Sequence, residues 1–145
     1  MIDAGVSGDT SAGGLSRLDW VLADKPTHLI VELGANDGLR ALPTEQLESN
    51  LDAIVRKAKA AGVPVFLAGM LAPPNLGSVY GKAFAKVYQD VAARHDIPLY
   101  EFFLAGVAGD RTLNLPDGLH PTARGIDVIV ERITPAVMEW LDKVS

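Results

Sequence analysis

The sequence predicts an α/β fold: a parallel sheet with helices on both faces. Two observations carry this. Short, nearly continuous apolar runs of strand length recur along the chain. Between them lie longer segments whose apolar residues repeat at helical spacing, and strands alternating with helices give a parallel, covered sheet. The chain has 145 residues, 48% of them apolar and 21% charged, which suits one globular domain spanning 1–145.

Ile2, Ala4 and Val6 alternate as a short strand does, and Gly8-Asp9-Thr10 closes it. Thr10 or Ser11 then caps a helix with Leu15, Leu18, Val21 and Leu22 on one face, ended by Lys25-Pro26. His28 to Leu33 reads as a buried parallel strand. Gly34-Ala35-Asn36-Asp37-Gly38 breaks it. Pro43-Thr44 opens a long helix with Leu47, Leu51, Ile54, Val55 and Ala58 in register, stopped by Gly62. Val63 to Leu67 is the next buried strand, followed by a Pro- and Gly-rich loop over Ala72 to Gly77. A helix carrying Tyr80, Phe84, Val87, Tyr88 and Val91 comes next, then a strand over Ile97 to Phe102. After a polar loop, Ile126, Ile129, Val130, Ile133, Val137, Trp140 and Leu141 mark a final helix that Pro135 should kink or split.

Charge and composition narrow the function. A net charge of −5 without a basic cluster argues against nucleic acid and against anionic membranes as partners. The chain has no cysteine, so thiolate chemistry and Cys-ligated metals are excluded. No apolar run reaches membrane-spanning length, and the N-terminus lacks a signal-peptide pattern. The three His lack the paired spacing of a metal site, so no metal is expected. The glycines from Gly5 to Gly14 lack the Lys-Ser/Thr ending of a phosphate loop and do not match the dinucleotide fingerprint. No cofactor is expected.

In open α/β sheets the loops beyond the strands' carboxyl ends hold the ligand site. Three polar segments fall there. Asp117-Gly118-Leu119-His120-Pro121 puts a carboxylate three residues before an imidazole, a spacing at which the two can meet. His is a base and acid near neutral pH, and a carboxylate fixes its tautomer. The same residues also read as an Asp-Gly turn before a helix. Asn36 offers an amide N–H donor at a strand end, while Asn-Asp-Gly is equally a turn signal. Gly8 can donate its backbone N–H to the same oxyanion, or simply turn the chain ahead of a capped helix. His28 and His95 read as structural.

Taken together and in this order, Gly8-Asp9-Thr10, Gly34-Ala35-Asn36-Asp37-Gly38 and Asp117-Gly118-Leu119-His120-Pro121 resemble the SGNH (GDSL-type) hydrolases. The bacterial arylesterase, thioesterase I and lysophospholipase branch is the most similar. The resemblance covers essentially the whole chain and takes in Val31-Glu32-Leu33 and Pro74-Asn75. It implies a flavodoxin-like three-layer α/β/α sandwich that cleaves carboxylic esters or thioesters through an acyl-serine. Carried over by position, Gly8 and Asn36 are oxyanion donors, Asp117 the orienting acid and His120 the base. The apolar loop Met70 to Leu76 and the segment Phe102 to Val107 would line an acyl or aryl pocket.

The family's nucleophile block, with its first strand and helix, should stand upstream of Gly8. Only seven residues precede Gly8, and they hold no Gly-Asp-Ser, so the expectation is a chain short of that block. Ser7 is a weak substitute nucleophile. Without the first strand, the strands at Ile2–Val6 and His28–Leu33 would have open edges, which are costly if buried. Either they pair with each other, or a strand of a second copy fills the slot and gives a swapped homo-oligomer. The competing reading is a non-catalytic, acyl-binding form of the same fold. A flavodoxin-like nucleotide binder fits worst, since it leaves the Asp-x-x-His pair without a role.

Overall fold

The computed structural model describes residues 1–144 and confirms an α/β chain with a parallel sheet. Its elements are α1 (Ser11–Ala23), β1 (Leu29–Glu32), α2 (Ala35–Leu39), α3 (Thr44–Ala60), β2 (Val65–Ala68), a 3-10 turn (Pro74–Leu76), α4 (Ser78–His95), β3 (Leu99–Tyr100) and α5 (Ala123–Val144). The chain divides into two compact units, Met1–Glu101 and a second that begins at Phe102.

In the first unit the strand order is β1-β2-β3, all parallel, with Leu29 opposite Val65 and Leu67 opposite Leu99. β2 is central and all four of its residues are buried, as its unbroken apolar run requires. α3 packs between α1 and α4 and touches β2. Its predicted stripe (Leu47, Leu51, Ile54, Val55 and Ala58) is buried throughout. α4 buries Phe84, Val87, Tyr88 and Val91, also as expected. Thr10 is the N-cap of α1: its Oγ1 accepts from Gly13 N at 3.3 Å.

Several expectations are corrected. Ile2–Val6 is not a strand. Asp3 Oδ1 accepts from Gly5 N, Val6 O accepts from Asp9 N, and Arg17 Nη1 donates to Ala4 O. These bonds fold the segment into local turns, and Ile2 and Val6 stay exposed. Direct pairing of that segment with β1, one of the two expected alternatives, therefore does not occur. β1 lies at the edge of the sheet, so its expected full burial fails too. Val31 is buried, but Ile30 is 46% exposed. The third strand is two residues long rather than six, because the chain turns from Phe102 onward.

In the second unit, Val107, Leu113 and Ile129 form a small core with Phe103, Leu104 and Val128 against it. Asn114 Nδ2 donates to the carbonyls of Val107 (2.7 Å) and Asp110 (2.8 Å), which fixes the loop over that core. Thr122 Oγ1 accepts from Gly125 N and so starts α5. Pro135 does not split this helix: it lies inside one continuous element. Ile129 and Trp140 of the predicted apolar face are buried, whereas Ile126 and Val130 are exposed.

Candidate active site

The Gly8 loop and Asn36, far apart in sequence, meet in the first unit. Gly34 makes this possible. It stands at the end of β1 with φ +113, a conformation L-residues rarely adopt, and a Cβ there would sit 2.0 Å from the Tyr88 hydroxyl. The chain turns at once into α2, so Asn36 lies in a short helix rather than in the Asn-Asp-Gly turn that sequence patterns favour. Asn36 Nδ2 donates to the Asp9 carbonyl at 2.9 Å, and Arg40 Nη2 donates to the Gly8 carbonyl at 3.0 Å. Gly8 itself is an exposed turn glycine, φ +79, ahead of the capped helix. A carboxamide has two N–H groups. One is spent on Asp9 and holds the loop.

The second unit holds Asp117 and His120. His120 Nδ1 lies 2.7 Å from Asp117 Oδ2. The other carboxylate oxygen accepts from the backbone N–H groups of Leu119 (2.9 Å) and His120 (3.0 Å). Gly118, at φ +70, closes the turn, and its N–H donates to Leu115 O. Leu115 N donates to His120 O at 2.7 Å, and Asn114 bridges to Pro121, so the segment is a tied-down hairpin. The segment is an Asp-Gly turn, and the turn brings the carboxylate to the imidazole. The hydrogen bond from His120, helped by the two backbone N–H groups, lowers the Asp117 carboxyl to about 2. The carboxylate is therefore charged at any working pH and acts only as an acceptor. Both side chains are open to solvent.

The remaining histidines are engaged elsewhere. His95 Nε2 lies 2.8 Å from Asp52 Oδ1, beside Arg94, at the C-terminus of α4. Those two partners hold the Asp52 carboxyl below its ordinary value. His28 Nδ1 contacts Thr27 Oγ1 at 3.1 Å. Among the described residues no three His, Asp or Glu gather as a metal site. No helix among them is long and apolar enough to cross a membrane.

Sequence reasoning missed three residues around the Gly8 loop. Asp37 is buried and bonded to Ser11. Arg17 Nε pairs with Asp9 at 2.7 Å, and Arg40 reaches the Gly8 carbonyl. The available signal for Asp37 was its position directly after Asn36. The arginines gave none, because their partners lie outside any local pattern.

The family of GDSL-like lipases and acylhydrolases matches residues 1–128 of the chain. Esterase TesA of Pseudomonas aeruginosa is 44% identical over 142 residues, covering 97% of this chain and 71% of TesA. The thioesterase 1/protease 1/lysophospholipase L1 of Escherichia coli (strain K12) is 35% identical over 144 residues, covering 99% of this chain and 65% of that protein. The crystal structure of the psychrotrophic esterase EstA from Pseudoalteromonas, inhibited by monoethylphosphonate, superposes with a TM-score of 0.93 at 37% identity. That match covers 97% of this chain and 78% of EstA. The chain thus spans between 65% and 71% of the length of the two curated relatives. A tied-down Asp–His pair, an Asn36-anchored Gly8 loop and these similarities agree: the chain belongs to the SGNH-type, GDSL-like lipase/acylhydrolase family of ester hydrolases.

Proposed function

We propose that this protein cleaves small acyl or aryl esters, with thioesters as a related substrate class, through an acyl-serine. The observation that carries the reading is the Asp117–His120 pair, 2.7 Å apart on a carboxylate held by two further N–H donors. In this reading His120 takes the proton from the attacking hydroxyl and returns it to the leaving group, and Asp117 holds the imidazole tautomer. The Gly8 N–H and the second N–H of the Asn36 carboxamide receive the developing oxyanion. Met70 to Leu76 and Phe102 to Val107 supply apolar contacts to the acyl or aryl group. Residues 1–145 act as one functional domain, a reading supported by a family match that runs across the division at Phe102.

An acyl-serine also requires a nucleophilic hydroxyl. No Gly-Asp-Ser occurs in the 145 residues. Ser11 is buried with its hydroxyl on Asp37, and Ser16 donates to Gly13 O within its own helix. Ser7, exposed ahead of Gly8, is the candidate within the chain. A second reading is a form that binds an acyl group without cleaving it. Fluorophosphonate labelling followed by peptide mapping separates the two. The hydrolase reading expects one labelled serine, together with p-nitrophenyl acetate turnover that heat unfolding abolishes. An unlabelled chain with turnover equal to the unfolded control would refute the hydrolase reading, and retention of a fatty acid by that chain in equilibrium dialysis would carry the binding form.

Self-association belongs to the same proposal. β1 is an edge strand with Ile30 exposed, and such an edge accepts a further strand. We expect a homo-oligomer in which a second copy supplies that strand. Sedimentation velocity should show a species above the monomer, and a monomer at all concentrations would refute it.

A further inference from the structure

Asp37 has no part in the proposed chemistry, yet it is 1% exposed and fully engaged. Its carboxylate accepts from Ser11 N at 2.8 Å and from Ser11 Oγ at 2.5 Å. Ser11 Oγ in turn accepts from Asn50 Nδ2 at 2.9 Å, which ties the pair to α3. The placement matters more than the count. Ser11 is the first residue of α1 and stands three positions after Gly8, while Asp37 directly follows Asn36. The bond between them therefore joins the chain just beyond one oxyanion donor to the chain just beyond the other.

Two other contacts span the same gap, and neither is suited to setting it. Arg40 reaches the Gly8 carbonyl from an exposed position, where a flexible side chain in high dielectric holds geometry weakly. The Asn36–Asp9 bond is made by the donor itself, so it moves when Asn36 moves. The Asp37 carboxylate is different. It is buried, makes two charge-assisted bonds and sits at the N-terminus of a 13-residue helix, where the dipole favours an anion. Oxyanion donors act only when both lie near 3 Å from one point, and a shift of about 1 Å costs up to about 100-fold in rate.

We infer that Asp37 is a positioning residue that sets the register of Gly8 against Asn36. The inference rests on the reading of those two residues as oxyanion donors, and Asp37 itself touches no reacting atom.

The test uses the whole chain with Asp37→Asn, Ser11→Ala and, as a core control, Val91→Ala. Asp37→Asn keeps the volume and one acceptor oxygen, so it is the variant that folds. Each clamp variant is read on the opposite side of the gap by ¹H–¹⁵N NMR, which needs no activity. Asp37→Asn is expected to shift the Gly8 amide resonance and Ser11→Ala to shift the Asn36 carboxamide pair. Val91→Ala lowers Tm and leaves both in place. With p-nitrophenyl acetate, Asp37→Asn is expected to lower kcat about 10-fold while KM stays within about twofold. The inference is overturned if Asp37→Asn lowers Tm but leaves Gly8 where the Val91 control leaves it. A wild-type chain without turnover would overturn the hydrolase reading instead, and the resonances alone would then decide the register.

Discussion

His120→Ala is expected to lower kcat/KM for p-nitrophenyl acetate by about 10⁴- to 10⁶-fold, the scale on which a serine hydrolase depends on its base. The imidazole is pinned at Nδ1 by Asp117, so in the proposed mechanism Nε2 is the nitrogen that meets the nucleophile. Asp117→Asn should cost about 10⁴-fold. Its carboxylate is an acceptor for three N–H groups, and an amide turned to satisfy the two backbone donors presents the wrong group to Nδ1. The two losses should not add, because the residues act as a unit. The pH dependence separates the pair from its surroundings. Asp117 is depressed to about 2 in the folded chain, from an unfolded value of 3.8. Its favourable contribution is thus present above the unfolded value and is lost as pH falls through about 2, so Asp117 protonation does not set the acid limb of the rate profile. A His120→Ala chain that retains more than about a tenth of wild-type kcat/KM would remove His120 from the mechanism.

The Asp117–His120 bond could be read from sequence because it is local: three residues and a glycine turn are enough to specify it. The same holds for α3, where the stripe from Leu47 to Ala58 names its own buried face, and for β2, whose apolar run fits only a central strand. What failed depended on a neighbour. Ile2–Val6 has the alternation of a strand, but alternation stabilises nothing without a partner strand, and local turns won. Asn-Asp-Gly is a good turn, but the left-handed Gly34 beneath the Tyr88 hydroxyl starts a helix there. The burial of Asp37 comes from a contact with Ser11, 26 residues away, which no local pattern records. The Gly8–Asn36 relation is equally long-range and was visible only through the resemblance of the ordered motifs.

Phe84→Ala is expected to have the largest effect on stability, about 4 kcal/mol, as for other fully buried phenylalanines. Phe84 has no exposed surface and lies on α4 between two rings, Tyr80 at 5.9 Å and Tyr88 at 5.7 Å, the second edge-on. Its ring also supports α2. A Cβ added to Gly38 would meet Phe84 at 3.3 Å, so helix and ring are already in contact. Truncation therefore opens a cavity under the helix that carries Asn36 and Asp37. A domain of this size has about 5–15 kcal/mol in hand, so the variant should fold but melt some 10 °C lower. Urea unfolding should show the midpoint falling at an unchanged slope. Tyr88→Phe is the contrasting case. Burial pushes the Tyr88 phenol up, so it stays protonated and donates to the Leu33 carbonyl at 2.9 Å. Losing that one bond costs about 1 kcal/mol and leaves the packing under α2 intact. If Phe84→Ala costs no more than Tyr88→Phe, α2 has settled into the space. In that case the register between Asn36 and the Gly8 loop should move with it, and the turnover of the variant, measured well below its Tm, should fall further than its stability.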